Sequence, residues 1–207
     1  MEKKRNILLN SIGFFILFYG LFAISYSIYR GKPSWIFWFC YISMVIMGIG
    51  AIKKNSLLIA SQINLLFFYL LFWNIDFFYQ LISSKSLWGI TDYFFKELLI
   101  SARIISLEHL FLLPLGFFLL YIIKLERKDH WKLSLIQAGL LAITTRFLTL
   151  EEYNVNCIFY KCTSFLPSGE FYIYSWICLN ILAIFLTAFI INKIFLRKEV
   201  KKKISRK

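Results

Sequence analysis

Residues Ile7 to Tyr29 read ILLNSIGFFILFYGLFAISYSIY, an unbroken stretch with no charged side chain. A helix needs roughly 20 predominantly apolar residues to cross the hydrocarbon core of a bilayer, and this run meets that length. It is longer than the apolar region of about 7–15 residues in a secretory signal, and no small-x-small cleavage pattern follows it. The sequence therefore predicts a retained first membrane span, preceded by the basic residues Lys3, Lys4 and Arg5.

The rest of the chain repeats the pattern. Of 207 residues, 59% are hydrophobic and 20% aromatic, and the mean hydropathy of +0.68 is well above that of an ordinary soluble domain. Apolar runs bounded by charges or turn residues place spans at about 7–29, 35–52, 56–83, 98–123, 133–150 and 171–196. No ten-residue alternation suggests barrel strands, and in lipid each backbone polar group must be satisfied within its own segment, so each span is expected to be a helix. The expected fold class is all-α, a polytopic bundle of six transmembrane helices. One transmembrane domain covers 1–196 and a basic cytoplasmic tail covers 197–207.

Loop charges set the expected orientation. With the N-terminus inside, the cytoplasmic segments hold 16 Lys and Arg residues and the outer ones hold five, Arg30, Lys32, Lys85, Lys96 and Lys161. Both termini are thus expected on the cytoplasmic side of a cell membrane, the bacterial cytoplasmic membrane. The net charge of +13 is concentrated in the tail, where seven basic residues lie between Arg197 and Lys207. A basic segment there reads as an anchor to anionic headgroups. The expected partners are membrane lipids and not nucleic acid; the oligomeric state is not set by the sequence. Walker, GxGxxG, HExxH and GxSxG motifs are absent, so nucleotide use and the usual hydrolase signatures have no support.

Ionisable residues inside apolar spans are candidate sites by default. His109 falls near mid-membrane of the fourth span, with Ala102 and Ser106 on the same stripe at i, i+4, i+7 spacing and Arg103 at its border. Glu108 lies off that stripe. Asp76 and Arg146 are expected at a similar outer level on the third and fifth spans, so a carboxylate between two guanidinium groups is one expected arrangement. Cys157 and Cys162 share the fifth connection, where an oxidising outer compartment favours a loop disulfide. No metal site and no cofactor are expected, since no second cysteine pair or nearby histidine accompanies that loop.

Trp73-Asn74-Ile75-Asp76, Arg103-x-x-Ser106-Leu107-x-His109 followed by Leu113-Pro114, and Asn154-Val155-Asn156 resemble a pattern found in a group of small bacterial multi-spanning proteins. The resemblance implies a six-span bundle and carries no activity with it. His109-x-x-x-Leu113-Pro114, with Ser34-Trp35-x-Phe37, is also similar to the androgen-induced-gene membrane hydrolases, six-span proteins that cleave lipid esters with an intramembrane threonine and histidine. That similarity implies that His109 is the histidine, while the threonine's place is taken by Phe39 or, shifted by one, Cys40.

Three functional readings follow. The chain is a non-enzymatic membrane component with a polar site in its outer half, where Asp76, Arg103, Arg146, Asn154 and Asn156 meet lipid headgroups. Alternatively it is a lipid hydrolase or acyltransferase with His109 as base and Cys40 or Ser106 as nucleophile. A third reading is a small-solute transporter that relays protons through Asp76 and His109.

Overall fold

The computed structural model describes residues 2–96, 99–163, 169 and 171–196. The basic tail 197–207 lies outside the described residues. Among the described residues eight helices follow one another: α1 (Glu2–Tyr29), α2 (Phe39–Ile52), α3 (Ser56–Ser83), α4 (Asp92–Lys96), α5 (Ile100–Ser106), α6 (Glu108–Ile123), α7 (His130–Leu148) and α8 (Tyr172–Phe195). Short 3₁₀ turns stand at Pro33–Phe37, Glu151–Tyr153 and Val155–Cys157. Among the described residues there is no strand, only an isolated parallel bridge between Leu125 and Leu196.

Among the described residues four helices are long and apolar enough to cross a membrane: α1, α3, the α5–α6 segment Ile100–Ile123, and α8. α2 is apolar and shorter, and its 14 residues rise only about 21 Å. α7 carries Lys132, Gln137 and Arg146 among its apolar residues.

α3 is the centre of the bundle and packs against α2, α6, α7 and α8. Its start is capped by Asn55, whose Oδ1 accepts from the backbone N–H groups of Leu57 and Leu58 at 3.0 and 3.2 Å. Its end is closed by Ser84 in the left-handed conformation, φ 58°. Ile59, Ile63, Leu66 and Leu70 of α3 meet Met44 and Met47 of α2 and Leu112, Leu119 and Leu120 of α6 in one buried core. Large apolar residues such as Phe14, Phe18 and Phe22 of α1 and Phe185 and Phe189 of α8 point outward. Exposed rows of this kind suit a lipid environment.

α1 and α2 approach closely because glycine faces backbone. A Cβ on Gly48 would meet the Leu17 nitrogen at 2.7 Å and the Gly13 carbonyl at 2.8 Å. Close backbone approach through small residues is the usual route to helix association in lipid.

The expected continuous helices are interrupted at two places. The run 35–52 is divided at Trp38, whose ψ of 131° separates the 3₁₀ turn from α2. The run 98–123 is divided at Leu107, whose N–H turns back to both Arg103 and Ile104 carbonyls. Ser106 and His109 therefore flank a local tightening at Leu107, whose backbone stays right-handed at φ −65° and ψ −13°.

Candidate active site

Both interruptions lie at the same place in the bundle. The first puts Cys40 in the opening turn of α2, and its cause comes from far along the chain. Asn156 Oδ1 accepts from the Phe39 N–H at 2.8 Å, and Asn156 Nδ2 donates to the Phe37 carbonyl at 2.8 Å. One amide thus satisfies an orphan donor at the start of α2 and an acceptor of the preceding turn. Asn156 is itself held, since Trp176 Nε1 donates to its carbonyl at 3.0 Å.

The second interruption starts α6 at Glu108 and His109. His109 Nδ1 lies 2.8 Å from the Ser106 carbonyl and 3.3 Å from Glu108 Oε1. The imidazole stacks on Trp73 with centroids 4.6 Å apart and planes 18° apart. Trp73 Nε1 donates to the Tyr93 hydroxyl at 2.9 Å, and Asn74 Nδ2 donates to the His109 carbonyl at 2.8 Å. Trp73 and Asn74 of α3 thus fix the ring and the backbone of the same histidine.

Cys40, Glu108 and His109 each offer a ligand or nucleophilic atom, and these three atoms lie within 4.8 Å of one another. Glu108 is fully buried, and neither of its carboxylate oxygens has a hydrogen-bond partner by geometry. Cys40 is 9% exposed, and the His109 side chain keeps 17% of its surface. A thiol, a carboxylate and an imidazole that meet in an apolar interior can exchange protons or share a cation. Such placement costs several kcal/mol if one charge is left alone.

Asp76, Arg146, Asn154, Asn156, Cys157 and Cys162 have structural partners of their own. Asp76 does not sit between guanidinium groups. Its Oδ1 accepts from the N–H groups of Leu87 and Trp88 at 2.9 and 2.7 Å, and its Oδ2 accepts from the N–H and hydroxyl of Thr91, both at 2.8 Å. The carboxylate folds the connection after α3, a contact that spacing along one helix does not reveal. Arg146 lies over the Phe159 ring at 4.6 Å, and the Nε of Arg103 is buried without a hydrogen-bond partner. Among the described residues no ion pair joins Asp76, Arg103 and Arg146.

Asn154 organises its own loop. Its Oδ1 accepts from the N–H groups of Phe159 and Tyr160, and its Nδ2 donates to the Tyr160 carbonyl at 2.8 Å. Asn154 and Asn156 both take positive φ, 38° and 55°, a region in which asparagine is enriched. Cys157 and Cys162 form a disulfide across that loop. Ser106 contributes its carbonyl to His109.

A carboxylate inside a long apolar run is itself a signal, but helical spacing puts Glu108 off the row of His109, so the sequence does not join the two. A second polar cluster, also unanticipated, joins α3, α7 and α8. Gln62 and Gln137 exchange two amide hydrogen bonds of 2.9 Å, and His130 lies 2.7 Å from Asn64 and 3.2 Å from Asn192. Interhelical pairs of this kind hold helices together in lipid. No family model, no curated protein and no solved structure matches the chain.

Proposed function

We propose that the chain is a six-span protein of the bacterial cytoplasmic membrane, with both termini inside, that hydrolyses or transfers the acyl group of a lipid ester at Cys40, Glu108 and His109. The observation that carries the enzymatic reading is the meeting of these three groups within 4.8 Å. They come from two different helices and lie where both are interrupted.

In this reading His109 with Glu108 moves the proton. A proton on Nδ1 serves the Ser106 carbonyl at 2.8 Å and faces Glu108 Oε1 at 3.3 Å, which leaves Nε2 as the acceptor. The buried carboxylate stabilises the imidazolium formed when Nε2 takes a proton. That proton comes from the Cys40 thiol as Sγ bonds to the acyl carbon. The ester C–O bond breaks, the leaving alkoxide takes the proton back, and water or a second alcohol then cleaves the thioester to give the acid or the transferred ester. Trp73 holds the ring plane, and Cys40 completes the centre. Lipid is the expected substrate class because the centre is enclosed by apolar helices and aromatic rings. The transport reading loses support because all four interactions of Asp76 belong to one loop.

The six crossings add α2, with its preceding 3₁₀ turn, and α7 to the four long apolar helices. The excess of basic residues on alternate connections supports this arrangement.

The enzymatic test uses purified protein in lipid vesicles carrying a fluorogenic acyl ester. Wild type is expected to release acid, and His109→Ala is expected to lower the rate by about 10²–10⁴, the usual worth of a general base. An equal rate in both proteins, or none in wild type, refutes the reading.

A further inference from the structure

Cys40, Glu108 and His109 bring a sulfur, a carboxylate and an imidazole together inside the apolar interior. Both Glu108 oxygens are buried without hydrogen-bond partners, and Glu108 is 0% exposed. Arg103 and Lys96 do not compensate it, since among the described residues its only ion-pair neighbour is His109. A divalent cation held between them would give the buried Glu108 oxygens a partner, since sulfur, imidazole nitrogen and carboxylate oxygen are all ligands for such an ion.

The geometry points to a divalent transition-metal site formed by Cys40 Sγ, a Glu108 carboxylate oxygen and a ring nitrogen of His109. The three ligand atoms already lie within 4.8 Å of one another, and a contraction of about 1 Å brings them to the spacing around a tetrahedral ion with bonds of roughly 2.0–2.3 Å. One sulfur, one imidazole nitrogen and one carboxylate oxygen form a mixed set that suits zinc. Three protein ligands leave a fourth position open, which is the pattern of a catalytic site as opposed to a structural one. Trp73 and the clamp of Asn156 at Phe37 and Phe39 hold the histidine and the cysteine turn in place before binding.

The role of the ion rests on the hydrolase reading; its binding does not. With the ion bound, Cys40, Glu108 and His109 would serve as ligands in place of nucleophile and proton relay, and the attacking group would be a water at the open position. Its oxygen bonds to the acyl carbon, the ester C–O bond breaks, one water proton goes to the leaving alcohol oxygen and the other to solvent.

The test is cobalt titration of the full chain, stripped with chelator and held in phosphatidylethanolamine and phosphatidylglycerol nanodiscs. Cobalt bound to a thiolate gives a near-ultraviolet charge-transfer band. Wild type is expected to bind one cobalt per chain with that band, and zinc is expected to displace it. Cys178→Ser should keep the band and Cys40→Ser should lose it. Glu108→Gln, which preserves shape, should weaken binding at least tenfold while the thermal unfolding temperature stays near that of wild type. No band in wild type, or an equal band in Cys40→Ser, overturns the proposal. Binding without ester hydrolysis supports the metal site and refutes the hydrolase, whereas hydrolysis that persists in chelator without a band does the reverse.

Discussion

At the scale of single residues, the chain shows how much a polar side chain's role depends on what folds against it. Asp76 and Glu108 are both carboxylates in apolar runs, yet one is satisfied by four donors and the other has no hydrogen-bond partner. Removing the acceptor of a buried hydrogen-bond set costs about 1–3 kcal/mol for each donor stranded. Asp76→Ala is therefore expected to destabilise the protein by about 2–4 kcal/mol, read as the shift in thermal unfolding in micelles, and Asp76→Asn by less because one acceptor oxygen remains. A change below about 0.5 kcal/mol for the alanine variant would contradict the structural role. His109 was legible as a candidate from its depth in an apolar run. Its partner was not, because helical spacing places the neighbouring Glu108 on another row, and only the packing of Cys40 against the start of α6 makes that carboxylate part of the centre.

The helices themselves show a similar division. Apolar runs reveal where α1, α3 and α8 lie, because lipid exposure writes length and hydropathy directly into sequence. The division at Trp38 was not legible, since the clamp that satisfies it comes from Asn156, far along the chain. The packing of α1 on α2 was hidden for another reason. Gly13 and Gly48 belong to different helices, so no spacing pattern within one run marks them. Gly48→Ala would place a methyl 2.7 Å from the Leu17 nitrogen, and the helices must separate to admit it. The expected result is a loss of about 1–3 kcal/mol of stability. Gly139→Ala, where no atom lies within 4 Å, should leave stability unchanged or raise it by up to about 1 kcal/mol through higher helix propensity. Equal effects at the two positions would show that α1 and α2 do not meet through Gly48.

For the whole molecule, four long apolar helices are established, and the six-span topology is the proposal that orients the centre. It predicts that reporter fusions after residues 54 and 127 lie in the cytoplasm and those after residues 31 and 89 lie outside. The opposite pattern at any two of these sites would require a different number of crossings. Exposed aromatic rows on α1 and α8 then face acyl chains, and the disulfide-bearing loop covers the side on which α2 begins.

Every functional claim depends on α2 beginning beside the start of α6. Glu108→Cys in a Cys178→Ser background tests that directly, because a short bifunctional thiol reagent should join residue 108 to Cys40. Ile104→Cys, at a position 46% exposed on the preceding turn, should not join to it. Absence of the 40–108 crosslink, or equal crosslinking from position 104, would contradict the site on which the account stands.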